Sequence, residues 1–211
     1  MAVDAKRAAQ VMEALRGLYP EARPELQFRN PYETLIATIL SAQCTDKRVN
    51  QVTARLFPQY PDAFAMAKLE PQELEPLIRE CGLYHNKARN IVSASRALVE
   101  QYDGQVPSTR KELMALPGVG QKTAGVVLLA AFGDDQIPVD THVFRVSRRI
   151  GLADANTPEK VEAQLKALLD REIWSFGHHL IIWHGRRCCH ARKPECGRCP
   201  LNDGLCEKNM E

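Results

Sequence analysis

The sequence predicts an all-α protein from three observations. Apolar residues recur at helical spacing almost throughout, no stretch alternates apolar and polar residues as a strand would, and helix-start signals recur along the chain. Taken in order, Asn30-Pro31-Tyr32-Glu33 supplies an N-cap, a proline at the first helical position and a capping glutamate. From His85 to Gln101 the apolar Ala88, Ile91, Val92, Leu98 and Val99 share one face, with Lys87, Arg89 and Arg96 elsewhere. Thr109 with Glu112 repeats the capping box, and Thr157-Pro158 marks another start. Helices are expected near 4–18, 31–42, 46–56, 71–79, 85–101, 109–115, 121–132, 141–150, 158–169 and 174–184. The segment 121–132 is apolar nearly all round, which predicts a helix running through the core. Gly133-Asp134-Asp135 ends it and marks a passage between two helical lobes, residues 24–134 and residues 1–23 with 135–211.

A chain of 211 residues suffices for one large or two small domains with a buried core. Its net charge of +2 points to no partner, so an electrostatic footprint must come from local clustering. Arg145, Arg148 and Arg149 form one such cluster, and Arg186, Arg187, Arg192, Lys193 and Arg198 form another. The first residues lack the apolar core of a signal peptide, and the longest apolar run, Val126 to Phe132, is too short to span a bilayer. A cytoplasmic, nucleoid-associated monomer without a membrane partner is expected.

Chemistry concentrates in Leu116-Pro-Gly-Val-Gly-Gln-Lys-Thr-Ala124 and Val139-Asp140-Thr141-His142. Pro117, Gly118 and Gly120 make a compact turn between two helical patterns, and glycine lets backbone N–H groups approach an anion. Lys122 falls in the first turn of the next helix, whose positive end opposes an ammonium and suits an amine nucleophile. The hairpin alone leaves Lys122 open between nucleophile, phosphate contact and solvated lysine, and Asp140 is also a good N-cap.

Of seven cysteines, Cys189, Cys196, Cys199 and Cys206 crowd into the C-terminal segment. Short loops can close four thiolates around one metal centre, zinc or iron–sulfur. A single Cys-x-x-Cys does not match the paired motif of zinc ribbons. Cys188 is an alternative ligand by position, and Cys44 and Cys81 read as buried side chains in apolar helical contexts.

Together these motifs resemble the endonuclease III family of the helix-hairpin-helix superfamily over essentially the whole chain. The resemblance rests on Leu35 to Asp46, Cys81-Gly-Leu-Tyr84 with Lys87 and Ala88, Leu116 to Ala124, Val139 to Arg145, and the cysteines after His184-Gly185. It implies two helical lobes with the active site between them, and a bifunctional DNA glycosylase and AP lyase acting on oxidised pyrimidines in duplex DNA. Lys122 is then the Schiff-base nucleophile and Asp140 its partner. Cys189, Cys196, Cys199 and Cys206 hold a 4Fe–4S cluster. Gln43 and Leu83 fill the duplex where a base is extruded, while Gly118, Val119, Gly120, Thr123, His142, Arg192 and Lys193 contact DNA. In one departure, Cys199 and Cys206 enclose six residues where well-known members have five. The alternatives are a monofunctional glycosylase of the same fold acting on mismatched adenine or alkylated bases, and a non-enzymatic DNA-binding module.

Overall fold

The computed structural model describes residues 4–208 and contains, among them, eleven α-helices, three 3₁₀ turns and no strand. The helices are α1 (Ala5–Leu18), α2 (Pro31–Leu40), α3 (Asp46–Leu56), α4 (Ala63–Ala67), α5 (Pro71–Ile78), α6 (Tyr84–Tyr102), α7 (Arg110–Ala115), α8 (Gln121–Phe132), α9 (Thr141–Ile150), α10 (Pro158–Leu168) and α11 (Trp174–Arg187). The caps account for many of these boundaries. Asn30, Thr45, Asp62, Thr109 and Thr157 each accept an N–H from the first turn of the helix that follows. Glu33 completes the entry to α2 by accepting the Arg29 N–H at 2.7 Å. α4 is absent from the sequence expectation because five residues are too few to show a period. α2 ends at Leu40 rather than 42, and α11 continues to Arg187 rather than stopping at 184.

The chain divides into two compact units, Glu25–Asp134 and the segments up to Pro24 and from Asp135 onward. In the first, α6 packs on α4 and α5, and α2 packs on α8. The helix buried on every side is α2, from Tyr32 to Leu40, and not α8. On α8 only Ala124, Gly125, Val127 and Leu128 are buried, and Phe132 at its end is 38% exposed. α2 packs against α3, α6 and α8, so neighbours cover it all round, whereas α8 packs mainly against α2 and α7. In the second unit α11 packs on α9 and α1 around Val11, Leu15, Val143, Val146, Leu180 and Ile181. Leu201, from the cysteine-rich segment, is fully buried in that same core. No described helix is long and apolar enough to cross a membrane.

Candidate active site and metal centre

In the unit Glu25–Asp134 the hairpin between α7 and α8 is closed by two backbone bonds. Leu116 N–H donates to Leu113 O, and Val119 N–H donates to Leu116 O at 3.2 Å. Gly118 stands at φ +78°, and a side chain there would run into Asn90, so both backbone and space require glycine. Gly120, the N-cap of α8, has an ordinary extended backbone and nothing near the position of an added Cβ. Its lack of a side chain leaves the mouth of α8 open to a ligand. Val119 is buried beneath the turn and pins it from inside. Lys122, the second residue of α8, is exposed, and Thr123 beside it is half-buried.

Two further predicted residues carry a backbone signature. Gln43 and Leu83 are non-glycine residues in the left-handed region, at φ 53° and 48°. Leu83 is not a core leucine: its side chain is 54% exposed, and it begins α6 without a side-chain cap. Such conformations cost of order 1–3 kcal/mol and cluster where a side chain must be presented. Cys81 is buried in a 3₁₀ turn (Arg79–Cys81), while Cys44 lies half-buried in the turn after α2, outside any helix. Lys87, which the periodicity places off the apolar face of α6, is buried all the same. It is only 4% exposed, a displacement from the apolar-face pattern that periodicity could not reveal.

The second unit carries Asp140. Its Oδ1 accepts the N–H groups of His142 and Val143, each at 2.8 Å, and its Oδ2 lies 3.2 Å from His142 Nδ1. Asp140 is therefore a working N-cap of α9, which fixes the carboxylate rigidly. The same unit gives two arginines of the first basic cluster acceptors within the protein. Arg145 donates to Cys189 O and Gly185 O, and Arg149 donates to His190 O at 2.6 Å and Ala191 O at 3.0 Å. These guanidiniums hold the cysteine segment in place. Arg187 stacks on Trp183 at 3.7 Å, and Arg198 donates to Arg187 O. Arg192 and Lys193 are exposed on the loop between Cys189 and Cys196, with Lys193 at φ 53°. The Arg145/Arg149 spacing of four, which places both on one helix face, was the available signal for the scaffold role.

The donor set of this segment fits a metal centre. Burial pushes the Cys206 thiol up, as do the nearby sulfurs of Cys199, Cys189 and Cys196. Cys189, Cys199 and Cys206 pack against one core, and thiols that raise one another in this way suit a cation that neutralises them. Polar groups surround them: Arg149 approaches Cys189 Sγ at 3.8 Å, the Lys208 N–H donates to Cys206 Sγ, and His184 Nε2 lies 3.6 Å from Cys199 Sγ. His184, Cys188 and Cys199 alone also form a compact donor group. Cys188, however, is 5% exposed and its thiol donates to Glu195 O, whereas Cys189 receives a guanidinium donor as a thiolate ligand does.

Residues 36–171 match the model of the HhH-GPD superfamily base excision DNA repair proteins, and residues 189–206 match the iron–sulfur binding domain of endonuclease III. The endonuclease III of Synechocystis sp. is 50% identical over 203 residues, covering 95% of this chain and 92% of the relative. The chain belongs to the endonuclease III family. The Escherichia coli K12 member is 46% identical over 198 residues, 94% of this chain and 93% of the relative. A solved structure of a trapped endonuclease III–DNA covalent intermediate superposes with a TM-score of 0.93 at 45% identity, covering 98% and 97% of the two chains. A thermostable thymine-DNA glycosylase follows with a TM-score of 0.87 at 25% identity, covering 96% of each. As a member of this family the chain is a DNA glycosylase and AP lyase of base excision repair, binds DNA and carries a 4Fe–4S cluster.

Proposed function

We propose that this endonuclease III family member removes oxidised pyrimidines from duplex DNA and nicks the strand through a Schiff base on Lys122. The observation that carries this reading is the placement of Lys122, exposed on the first turn of α8 directly after an open glycine hairpin. Gly118, Gly120 and Thr123, with Val119 holding the turn, bind a phosphate, and Arg192, Lys193 and His142 add contacts that position without reading sequence. The target nucleotide is extruded at a cost of a few kcal/mol, less for a damaged base. Gln43 and Leu83 fill the gap it leaves.

The Lys122 amine then attacks C1′ of the deoxyribose. The N–C1′ bond forms, the glycosidic bond breaks, and the base leaves with the bonding electron pair. Asp140 stabilises the positive charge that develops on the sugar. The leaving base takes a proton from the lysine nitrogen, whose lone pair then breaks the C1′–O4′ bond as O4′ is protonated, and the resulting protonated imine acidifies the C2′ proton. Its loss expels the 3′ phosphate, so one site performs both base removal and strand cleavage. The trapped covalent intermediate known for the similar endonuclease III supports such a route. Cys189, Cys196, Cys199 and Cys206 hold the cluster, which orders the loop bearing Arg192 and Lys193 and takes no part in the chemical step.

Borohydride trapping on duplexes that each contain one defined lesion tests the assignment. Adducts on oxidised pyrimidines and on abasic sites are expected. No trapped adduct and no nick on abasic sites, with base removal only from adenine mismatches or alkylated bases, would favour the monofunctional alternative.

A further inference from the structure

The buried Lys87 has no part in the chemistry just described. Its Nζ donates to Leu40 O at 2.8 Å and to Cys81 O at 2.7 Å. These acceptors lie 47 and 6 residues away in sequence and come from two different elements. Leu40 is the last residue of α2, where helical carbonyls lack partners and the dipole favours a cation. Cys81 is the last residue of the 3₁₀ turn that precedes α6.

Each acceptor sits just before a left-handed residue. Gln43 follows Leu40 by three positions and Leu83 follows Cys81 by two. Little slack separates the anchors from these residues. Ala42 N–H donates to Ile39 O, and Cys44 N–H donates to Ser41 O, so the turn bearing Gln43 is tightly wound. On the other side, Gly82 N–H donates to Arg79 O, and Lys87's own N–H donates to Leu83 O at 3.1 Å. Non-glycine residues persist in this conformation only where their surroundings over-determine it. A carbonyl clamp by one buried ammonium supplies that constraint to both turns at once.

We infer that Lys87 is a positioning residue, whose ammonium clamps the turn carrying Gln43 to the turn carrying Leu83 and so sets the spacing at which the pair enters the duplex. This rests on the gap-filling role proposed for Gln43 and Leu83. Because Lys122 takes no part in the clamp, its loss spares chemistry on a single strand, where there is no duplex gap to fill.

The test compares borohydride trapping by the cluster-loaded Lys87→Met enzyme on one abasic site presented in duplex and in single-stranded DNA. The expected result is a loss of about 10–100-fold in kcat/KM on the duplex, the scale of a misplacement near 1 Å, with single-strand trapping unchanged. Should Lys87→Met not fold, Lys87→Gln, whose shorter side chain keeps an N–H donor group, carries the same comparison with a smaller duplex loss expected. Equal losses on both substrates, as general destabilisation would give, or no loss on duplex, would overturn the clamp. Gln43→Ala and Leu83→Ala are run on the duplex in parallel. If both act at wild-type rate beside an impaired Lys87→Met, the gap-filling reading fails and this inference falls with it. If they are impaired and Lys87→Met is not, the clamp alone fails.

Discussion

Asp140 combines a structural and a chemical task that two substitutions separate. Asparagine is as good an N-cap as aspartate, so Asp140→Asn should keep the two N–H bonds to Oδ1 and leave Tm near that of the wild type. Its rate of base removal should fall about a hundredfold, the scale of losing one preorganised electrostatic group. Asp140→Ala loses the cap too and should be less stable by about 0.5–2 kcal/mol. Thermal unfolding measured beside single-turnover kinetics checks the split; an active Asp140→Asn would reduce the residue to a cap. Leu83 offers a second separation. Leu83→Gly relieves a left-handed residue and should stabilise the fold by about 1 kcal/mol. The same change removes the exposed side chain and should slow excision from duplex DNA. A variant that is both less stable and fully active would contradict this reading of the residue.

The element that most needs external support is the segment from Cys189 to Cys206, which contains only a three-residue 3₁₀ turn and no other helix. Its backbone is held by two arginines of α9, four residues apart, that donate to the carbonyls of Cys189, His190 and Ala191. Arg149→Ala should therefore lose its visible iron–sulfur absorbance to a chelator faster than the wild type does. Identical bleaching rates would show that the four sulfur ligands alone hold the loop. Once anchored, the loop presents Lys193 to solvent in a left-handed conformation. Lys193→Ala should weaken DNA binding across all sequences and lower the slope of log K against log salt by about 0.9, one phosphate contact. An unchanged slope would remove this lysine from the interface.

At the level of the whole molecule, each unit has its own apolar core, and Leu201 ties the cysteine segment into only one of them. Removing the cluster should thus cost hydrogen-exchange protection in α1, α9 and α11 and leave α2, α6 and α8 protected. Uniform loss across both units would contradict this partition. Helical periodicity and capping signals were enough to read ten of the eleven helices, and Pro117, Gly118 and Gly120 to read the turn before α8, because these depend on local spacing. What stayed hidden depends on long-range contacts. The burial of Lys87 follows from carbonyls 47 and 6 residues away, and the acceptors of Arg145 and Arg149 lie on the cysteine segment, far along the chain from α9. The all-round burial of α2 rather than α8 likewise depends on which neighbours cover each helix. The most direct measurement is borohydride trapping of Lys122→Gln on an abasic duplex, with DNA affinity measured alongside. Retained binding with no trapped adduct is the result expected for the nucleophile. An adduct of undiminished yield would contradict Lys122 as the residue that attacks the sugar.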